Sequence, residues 1–305
     1  MRTRLLTLAL AAGLALGQSG CLKKIIFDGT VQSTRKGSGA LDTVADYELA
    51  RAAASAGLAQ FEGMHRLGPD NEDALFLLTK GWVGYGFAFA EDDYEAAVDA
   101  NNDDLADYHK RRARMAYERG VIYALELIGH HADGFDGAKK NEETMKAWLD
   151  KNFDDKEDTE LLFWTGYAWL ARVNISKDDP IMVGELFIGI AMLEKARQLD
   201  ESYNHYSALA ALGAYHARTA MSEMDESQKL FEEALQKTER KTLVVQLNYA
   251  TRYACNKGDK ALYEKLLNEV LTSDDPDPQQ RLTNAVAKRR AKRALTKTRM
   301  DNCSF

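Results

Sequence analysis

The sequence predicts an all-α protein, and three observations support this class. Apolar residues recur with helical periodicity through most of the chain after residue 40, and no convincing alternating strand pattern interrupts them. The chain has only four prolines, and each stands where a predicted helix begins or ends. Acids that can serve as N-caps precede helices, as with Asp70, Asp179 and Asp277. We therefore predict helices joined by short connections.

The first 20 residues have the composition of an export signal. Two arginines precede an apolar run, Leu5 to Gly17, which is too short to span a bilayer. Small residues then lead to Cys21, as in the lipobox of bacterial lipoproteins, although Gln18 stands where an aliphatic residue is usual. We predict a cleaved signal peptide over 1–20 and a lipidated Cys21, with an ordinary cleaved signal as the alternative.

Residues 21–40 are predicted to link the lipid to the folded domain. Lys23 and Lys24 come directly after the cysteine, and the stretch Gly29 to Gly39 is rich in Gly, Ser and Thr. This composition is typical of a flexible tether. We therefore expect the chain to be anchored to a bacterial membrane, on its periplasmic side, through this segment.

Charge and cysteine content restrict the partners and the compartment. Loss of the signal changes the formal charge from −7 to −9, because the signal contains two arginines and no acid. An acidic mature chain argues against nucleic acid as a partner. The remaining cysteines, Cys255 and Cys303, are either a buried thiol and a tail thiol or a pair formed in an oxidising periplasm.

Helices are predicted along residues 41–299, and residues 300–305 are predicted to be a tail. Short connections favour antiparallel neighbours. The predicted helices are 41–66, 71–99, 103–129, 141–151, 158–176, 181–199, 205–221, 226–238, 242–256, 260–272 and 278–298.

Two segments resemble the second helix of a tetratricopeptide unit. In 192–203 and in 230–237 a bulky residue stands three positions before an alanine. The spacing between units drifts and the signature Trp and Pro are mostly missing, so the repeats are degenerate. We predict a tetratricopeptide-like array of helical hairpins with a concave face or a central channel.

The stretch KGWVGYGFAFAEDD, residues 80–93, allows three interpretations. A membrane span needs ~20 apolar residues, and this run is shorter and contains Lys80. A phosphate loop needs a preceding strand and a following Lys-Ser/Thr, and neither is present. The third is a soluble helix, in which Gly81, Gly84 and Gly86 each cost up to ~1 kcal/mol relative to alanine. We therefore predict a closely packed partner or a cavity wall beside these glycines.

The predicted helices 71–99 and 158–176 are rich in aromatic residues. In the first they form one stripe of the helical wheel, and the second is apolar almost all round, which is typical of a central helix. These aromatics form either the core of the array or the wall of a tunnel for a partly apolar ligand. The candidate lining residues are Trp82, Tyr85, Phe89, Trp164, Tyr167 and Trp169.

The last predicted helix is strongly basic. Lys288, Arg290 and Arg293 are among its cations. Cations near the end of a helix are favoured by the helix dipole, and this accounts for them without any partner. The alternative is a docking face for an acidic protein surface or for anionic headgroups.

Motifs for catalysis or metal binding are weak. His130, His131, Asp133 and Asp136 lie close in sequence, but adjacent histidines rarely share one ion, and a polar loop accounts for them. No nucleophile elbow, zinc-protease or P-loop motif occurs. We predict no enzyme, metal or cofactor; a hydrolase assembled from distant Ser, His and Asp residues remains an alternative.

The mature chain resembles the T-component of TRAP transporters over nearly its whole length. The resemblance is carried by the glycine and aromatic helix 81–92, by LLFWTGYAW with SKDDP (161–180), by YACNKGDKALYEKLL (253–267) and by LTNAVAKRRAKRAL (282–295). The segment 209–224 and Gln18 depart from the family's pattern.

The resemblance implies a specific role without catalysis. It implies a periplasmic lipoprotein of tetratricopeptide-like helices that forms homotrimers around through-pores and pairs with the solute-binding P-component of the transporter. The implied ligand is an apolar or amphiphilic organic acid, which the protein holds or passes on. The alternative function is a tetratricopeptide scaffold for envelope assembly that grips peptides in its concave groove.

Overall fold

The structure is a computed structural model that describes residues 22–218, 223–303 and 305. It confirms the all-α class: 83% of the described residues are helical, and these residues contain no strand. The α-helices longer than five residues are α1 (22–37), α2 (Tyr47–Leu67), α3 (Glu72–Tyr85), α4 (Glu91–Asp99), α5 (Asp103–His131), α6 (Glu142–Asn152), α7 (Thr159–Ile175), α8 (Leu186–Leu199), α9 (Tyr203–His216), α10 (Met224–Lys237), α11 (Leu243–Asn248), α12 (Lys260–Thr272) and α13 (Arg281–Ala294).

Shorter helical turns connect these elements. Gly86–Ala90 is a π-turn that joins α3 to α4, and Tyr249–Ala254 is a π-turn that follows α11. The remaining turns are Ser38–Thr43, Phe135–Ala138, Lys156–Asp158, Pro180–Gly184, Cys255–Lys257, Pro278–Gln280 and Lys297–Asp301. Most observed bounds agree with the predicted helices within a few residues, although the predicted end of the helix 205–221 lies outside the described residues. The tetratricopeptide-like repeat arrangement stays a prediction.

N-caps form largely where the sequence predicts them. The Asp179 carboxylate accepts hydrogen bonds from two backbone amides of the turn that begins with Pro180, and Asp277 caps the turn before α13. At α3 the cap is Asn71 and not Asp70, because the Asn71 side chain accepts the hydrogen bond from the backbone amide of Ala74 at 2.9 Å.

The segment predicted as a flexible tether is helical over residues 22–37. Val31 is fully buried against Ala74 and Leu77 of α3, and the Asp28 carboxylate accepts a hydrogen bond from the Asn71 amide at 2.8 Å. These contacts with α3 offset the weak helix propensity of the Gly, Ser and Thr residues. The predicted signal peptide and Cys21 lie outside the described residues.

Successive helices pack side by side, and the two ends of the array meet. α2 packs on α3, α3 on α5, α5 on α7, α7 on α8, α8 on α9 and α9 on α10. α11 and α12 both contact α13, which in turn contacts α2, α4 and the turn Ser38–Thr43. The domain is therefore closed by contact between its first and its last helices.

The C-terminal residues are held to the array by a disulfide bond. Cys255 and Cys303 are bonded, with a Cα–Cα distance of 4.7 Å. The Phe305 ring packs on Tyr263 at a centroid distance of 5.1 Å. The second alternative for these cysteines, a pair, is therefore correct. The bond ties residues that were predicted to be a tail to the rest of the domain.

Candidate ligand-binding site

The three glycines of the stretch 80–93, Gly81 and Gly84 of α3 and Gly86 of the π-turn, have two kinds of surroundings, and the close approach predicted from the sequence occurs at two of them. A Cβ atom at Gly86 would lie 2.7 Å from the ring of the buried Tyr117, and a Cβ at Gly81 would lie 3.0 Å from Leu58. A Cβ at Gly84 would meet no atom within 4 Å. Two glycines therefore admit neighbouring side chains, whereas Gly84 faces open space.

The predicted lining residues of this stretch, Trp82 and Tyr85 of α3 and Phe89 of the π-turn, contact neighbouring side chains. The Trp82 indole donates a hydrogen bond to Glu62 of α2 at 2.9 Å, and the Tyr85 hydroxyl accepts one from Arg112 of α5 at 2.6 Å. Phe89 is buried and packs on the Tyr85 ring. These contacts account for the three aromatics without a ligand, and their role as tunnel lining stays a prediction.

The predicted lining residues of α7 divide between the open space and the core. Tyr167 is partly exposed, and its ring meets the ring of Phe87 at a centroid distance of 6.5 Å. The Trp164 indole donates to the Tyr203 hydroxyl at 3.0 Å. Trp169 is buried and packs on Phe135. Tyr167 and Trp164 therefore lie near the open space, and Trp169 does not.

A cavity of about 460 Å³ opens between α1, α3, α7 and Tyr203. The Arg35 guanidinium lies 4.0 Å from the centre of the Phe76 ring and forms ion pairs with Asp73 and Glu160. The Lys80 ammonium lies 5.7 Å above the Trp164 ring. Sequence reasoning missed Arg35, because α1 is predicted as a linker. The lining residues that carry charge or a ring are Arg35, Lys36, Asp73, Phe76, Lys80, Glu160 and Tyr203.

Phe87 and Glu91 extend this side of α3 towards α13. The Arg290 guanidinium lies 4.5 Å from the centre of the Phe87 ring and donates a hydrogen bond to the Phe87 carbonyl at 2.6 Å. The Glu91 carboxylate accepts from the Tyr117 hydroxyl at 2.6 Å. Positions 76, 80, 84, 87 and 91 recur every three or four residues, so one face of the helix carries them all.

Burial shifts two pKa values in this region. Burial, together with the Glu91 charge, raises the pKa of Tyr167 to about 12. Burial and the nearby Arg252 lower the pKa of Lys177, whose side chain is exposed. Arg252 therefore places positive charge close to both Tyr167 and Lys177, and the Glu91 carboxylate acts on the same two groups.

A buried ion cluster joins α4 to α13. Asp92 is fully buried, and its carboxylate accepts hydrogen bonds from Arg293 at 2.5 Å, Arg289 at 3.1 Å and the Tyr47 hydroxyl at 3.0 Å. Burial opposes ionisation, but Arg293, Arg290 and Arg289 together hold the pKa of Asp92 below its usual value. This cluster makes the contact between the two ends of the array.

Two of the three predicted docking residues, Arg290 and Arg293, contribute to this cluster, and Lys288 does not. The side chains of Arg290 and Arg293 are only 10% and 18% exposed, and Arg293 also donates to Glu95 at 2.8 Å. The Lys288 ammonium donates to the Asp274 carbonyl at 2.7 Å. Sequence reasoning could not anticipate the pairs of Arg293, since their acids lie roughly 200 positions earlier in the chain.

The histidine pair lies beside a carboxylate. His130 Nδ1 and His131 Nε2 each lie 3.6 Å from an oxygen of Glu72. Over the described ranges, no group of three or more His, Cys, Asp or Glu side chains could hold a metal ion. Nor does any helix of those ranges have both the length and the apolarity for a bilayer crossing.

Comparison with known proteins gives one family match. A family model for the TRAP transporter T-component matches residues 43–301, which is most of the chain and includes every helix from α2 to α13. No curated protein matches the chain. Because the match covers far more than half of the sequence, the protein belongs to the TRAP transporter T-component family.

Proposed function

We propose that this protein is a lipid-anchored accessory subunit of a TRAP-type transporter that binds or channels an amphiphilic organic acid. Family membership supports an accessory role in TRAP transport, and components of these transporters are periplasmic or membrane-associated. Cys21 is the proposed lipid attachment site, on the sequence pattern alone. The role requires no catalytic step.

The observation that carries the ligand proposal is the open side of α3 beside Gly84. Aromatic rings follow it at Phe87 and Tyr167, and Arg252 and Lys177 supply positive charge close by. Rings suit an apolar chain, and cations suit a carboxylate. An acid with an apolar body matches both features.

The cavity beside α1 is the proposed entrance to this space. Its volume of about 460 Å³ is within the range of small-molecule sites. Lys80 lies at its wall, one helical turn from Gly84, so the cavity and the open face adjoin along α3. A ligand that enters past Lys80 would reach Gly84 and then Phe87 and Tyr167.

Self-association as a homotrimer is a further part of the proposal. The outer face of α5 exposes four large apolar side chains that fall within one sector of the helical wheel. Such a stripe on a surface helix is typical of a protein interface. These residues are Leu105, Tyr108, Met115 and Ile122.

Docking of the solute-binding P-component is also proposed. The ion pairs of Arg290 and Arg293 stabilise the position of α13. Lys288 and the exposed Lys292 of the same helix are therefore the cations proposed to contact an acidic partner surface. Lys288→Glu together with Lys292→Glu is expected to weaken P-component binding measured by surface plasmon resonance. Unchanged binding would contradict this docking face.

The ligand proposal is tested by native mass spectrometry of the mature protein purified gently from its own periplasm. We expect a bound organic acid in the parent protein and its loss in Gly84→Leu, because leucine fills the open space. Gly63→Leu is the matched control, since a Cβ at exposed Gly63 on α2 also meets no atom within 4 Å.

Two outcomes would contradict the ligand proposal. One is a parent protein that never carries a ligand, and the other is a Gly84→Leu variant that keeps it as fully as Gly63→Leu does. A ligand-free monomer would favour the peptide-binding scaffold. Circular dichroism of both variants checks that the helices are intact.

A further inference from the structure

The first turn of α1 carries large apolar side chains in full contact with solvent. Leu22, Ile25 and Ile26 are 58%, 66% and 60% exposed. At 100° per residue they share one side of the helix, and Val31, which is buried against α3, lies on the opposite side. The packing of α1 on the domain therefore does not explain these three residues.

The outer side of α1 is apolar in this first turn and polar after it. Gly29, Thr30 and Ser33 continue the same exposed side, and all three are small or polar. The apolar part is therefore confined to about 7 Å of helix, at a rise of 1.5 Å per residue. A surface that is apolar at one end and polar immediately beyond is typical of an element that enters an interface only with its tip.

A fourth exposed apolar residue lies near the three in the first turn of α1, at the same end of the molecule. Leu67, the last residue of α2, is 79% exposed. The Phe27 ring covers the backbone at Gly68 so closely that a Cβ there would collide with it. The Asp28 carboxylate accepts a hydrogen bond from the Asn71 amide. These contacts place the end of α2 beside the first turn of α1.

Basic side chains accompany these apolar residues. Lys23, Lys24 and Arg66 are all exposed. Of the acids nearby, Asp28 pairs with Lys24 at 2.7 Å, and Asp70 lies exposed beyond Gly68. Apolar side chains bordered by lysine and arginine fit a membrane that contains anionic lipid headgroups.

We propose that this end of the domain, formed by the first turn of α1 and by Leu67, docks directly onto the lipid leaflet. The apolar side chains enter the boundary between headgroups and acyl chains, and Lys23, Lys24 and Arg66 contact anionic headgroups. The residue before Leu22 is Cys21, so a lipid at that position would enter the bilayer at the same point. The lipid leaflet is the occupant favoured over a second protein for these two reasons.

Docking fixes the orientation of the domain above the membrane. Arg35, at the wall of the cavity, lies nine residues beyond Ile26 on the same helix, which is about 14 Å along its axis. The cavity would therefore open close to the headgroups. This inference goes beyond the proposed ligand binding, and neither depends on the other.

The test uses the complete mature chain with Cys21→Ser, so that no lipid contributes to binding. Sedimentation with vesicles of phosphatidylethanolamine and phosphatidylglycerol is expected to remove the protein from solution. Ile25→Asp together with Ile26→Asp should weaken this partitioning about tenfold or more, because two apolar side chains lose their burial in the leaflet. Ile181→Asp is the matched control, at a residue that is 76% exposed elsewhere.

A second variant separates the charge contribution from the apolar one. Lys23→Gln together with Lys24→Gln should weaken binding to vesicles with phosphatidylglycerol and leave binding to phosphatidylcholine vesicles unchanged. The inference is overturned if the Cys21→Ser chain does not bind vesicles, or if Ile181→Asp reduces binding as strongly as the double aspartate variant. It is also overturned if the double variant only dissociates an oligomer, since the patch would then bind a second copy.

Discussion

Two helix contacts in the array differ in their chemistry. α7 and α8 cross through glycines: a Cβ at Gly166 would lie 2.8 Å from the Gly189 carbonyl oxygen, and a Cβ at Gly189 would lie 2.8 Å from the Gly166 carbonyl oxygen. α4 and α13 meet through the carboxylate of Asp92 and the guanidinium groups of Arg289 and Arg293. Neighbours in sequence are joined by backbone proximity, whereas the distant ends are joined by buried charge beside a small apolar cluster that includes Val286 of α13.

The difference shows which contact should be insensitive to solution conditions and which should depend on them. The crossing of α7 and α8 depends on shape alone, so salt and pH should leave it nearly unchanged. The contact of α4 with α13 depends on ionised carboxylates in a desolvated place. The closure of the array is therefore its most pH-sensitive part.

The largest expected effect comes from Asp92→Asn. Removal of the carboxylate leaves Arg290 and Arg293 with fewer acids than they now contact, in a buried place, and this should lower the free energy of unfolding by about 3 kcal/mol. Urea denaturation measures the change. Asp136→Asn is the control, because Asp136 is 90% exposed in its pair with Lys139 and should change stability by less than about 1 kcal/mol. Equal effects of the two substitutions would contradict the assigned role of the cluster.

Acid should weaken the same contact without any substitution. Burial opposes ionisation of both Asp92 and Glu95, but nearby arginines keep their pKa values below normal. A carboxylate whose pKa is lower in the folded state stabilises the protein above its unfolded-state pKa, near 4, and loses this contribution as the pH falls further. The free energy of unfolding should therefore decline below about pH 4, with a smaller slope in Asp92→Asn. Identical slopes would contradict the assignment.

A substitution at the contact of α7 with α8 should have an intermediate effect on the free energy of unfolding. Gly166→Ala forces the backbones of α7 and α8 apart, since a carbonyl oxygen cannot rotate away, and should cost about 1–3 kcal/mol. Unfolding at neutral pH and at about pH 3 measures both the loss and its origin. The loss should be the same at the two pH values, whereas that of Asp92→Asn should be smaller at the lower pH, where protonation also weakens the parent contact. A pH-dependent loss in Gly166→Ala would remove the distinction between the two contacts.

The smallest effect is expected at the end of α3 and the start of the π-turn, where two alanine substitutions should change stability in opposite directions. Gly84→Ala should raise the free energy of unfolding by up to about 1 kcal/mol, because alanine is the better helix former and no atom opposes its Cβ. Gly86→Ala should lower it, since the new Cβ would press on the buried Tyr117 ring. Thermal unfolding of both variants compares the signs. A loss at Gly84 would show that its surroundings are filled.

Much of the fold could be predicted from local sequence patterns. Helical periodicity and caps locate the helices, and the apolar circumference of the helix 158–176 indicates that α7 is central. The glycines of the stretch 80–93 predict close approach or a cavity wall, and close approach occurs at Gly81 and Gly86. The helical character of 22–37 could not be predicted, because it depends on the burial of Val31 against α3.

The arrangement of the candidate site was less predictable. The helical wheel groups Trp82, Tyr85 and Phe89 together, but it cannot tell which side of α3 its neighbours fill. Glu62 and Arg112 of other helices bind two of these aromatics. Basic residues of α13 were ambiguous for the same reason, since sequence alone does not identify partners some 200 positions away.

A double-mutant cycle on Asp92 and Arg293 tests the central claim, that a charged contact joins the ends of the array. Urea unfolding would be measured for the parent, Asp92→Asn, Arg293→Gln and the double variant. We predict a coupling energy of about 2 kcal/mol, because each substitution removes the partner of the other. Effects that add within about 0.5 kcal/mol would contradict the claim and show that the ends are held together by other contacts.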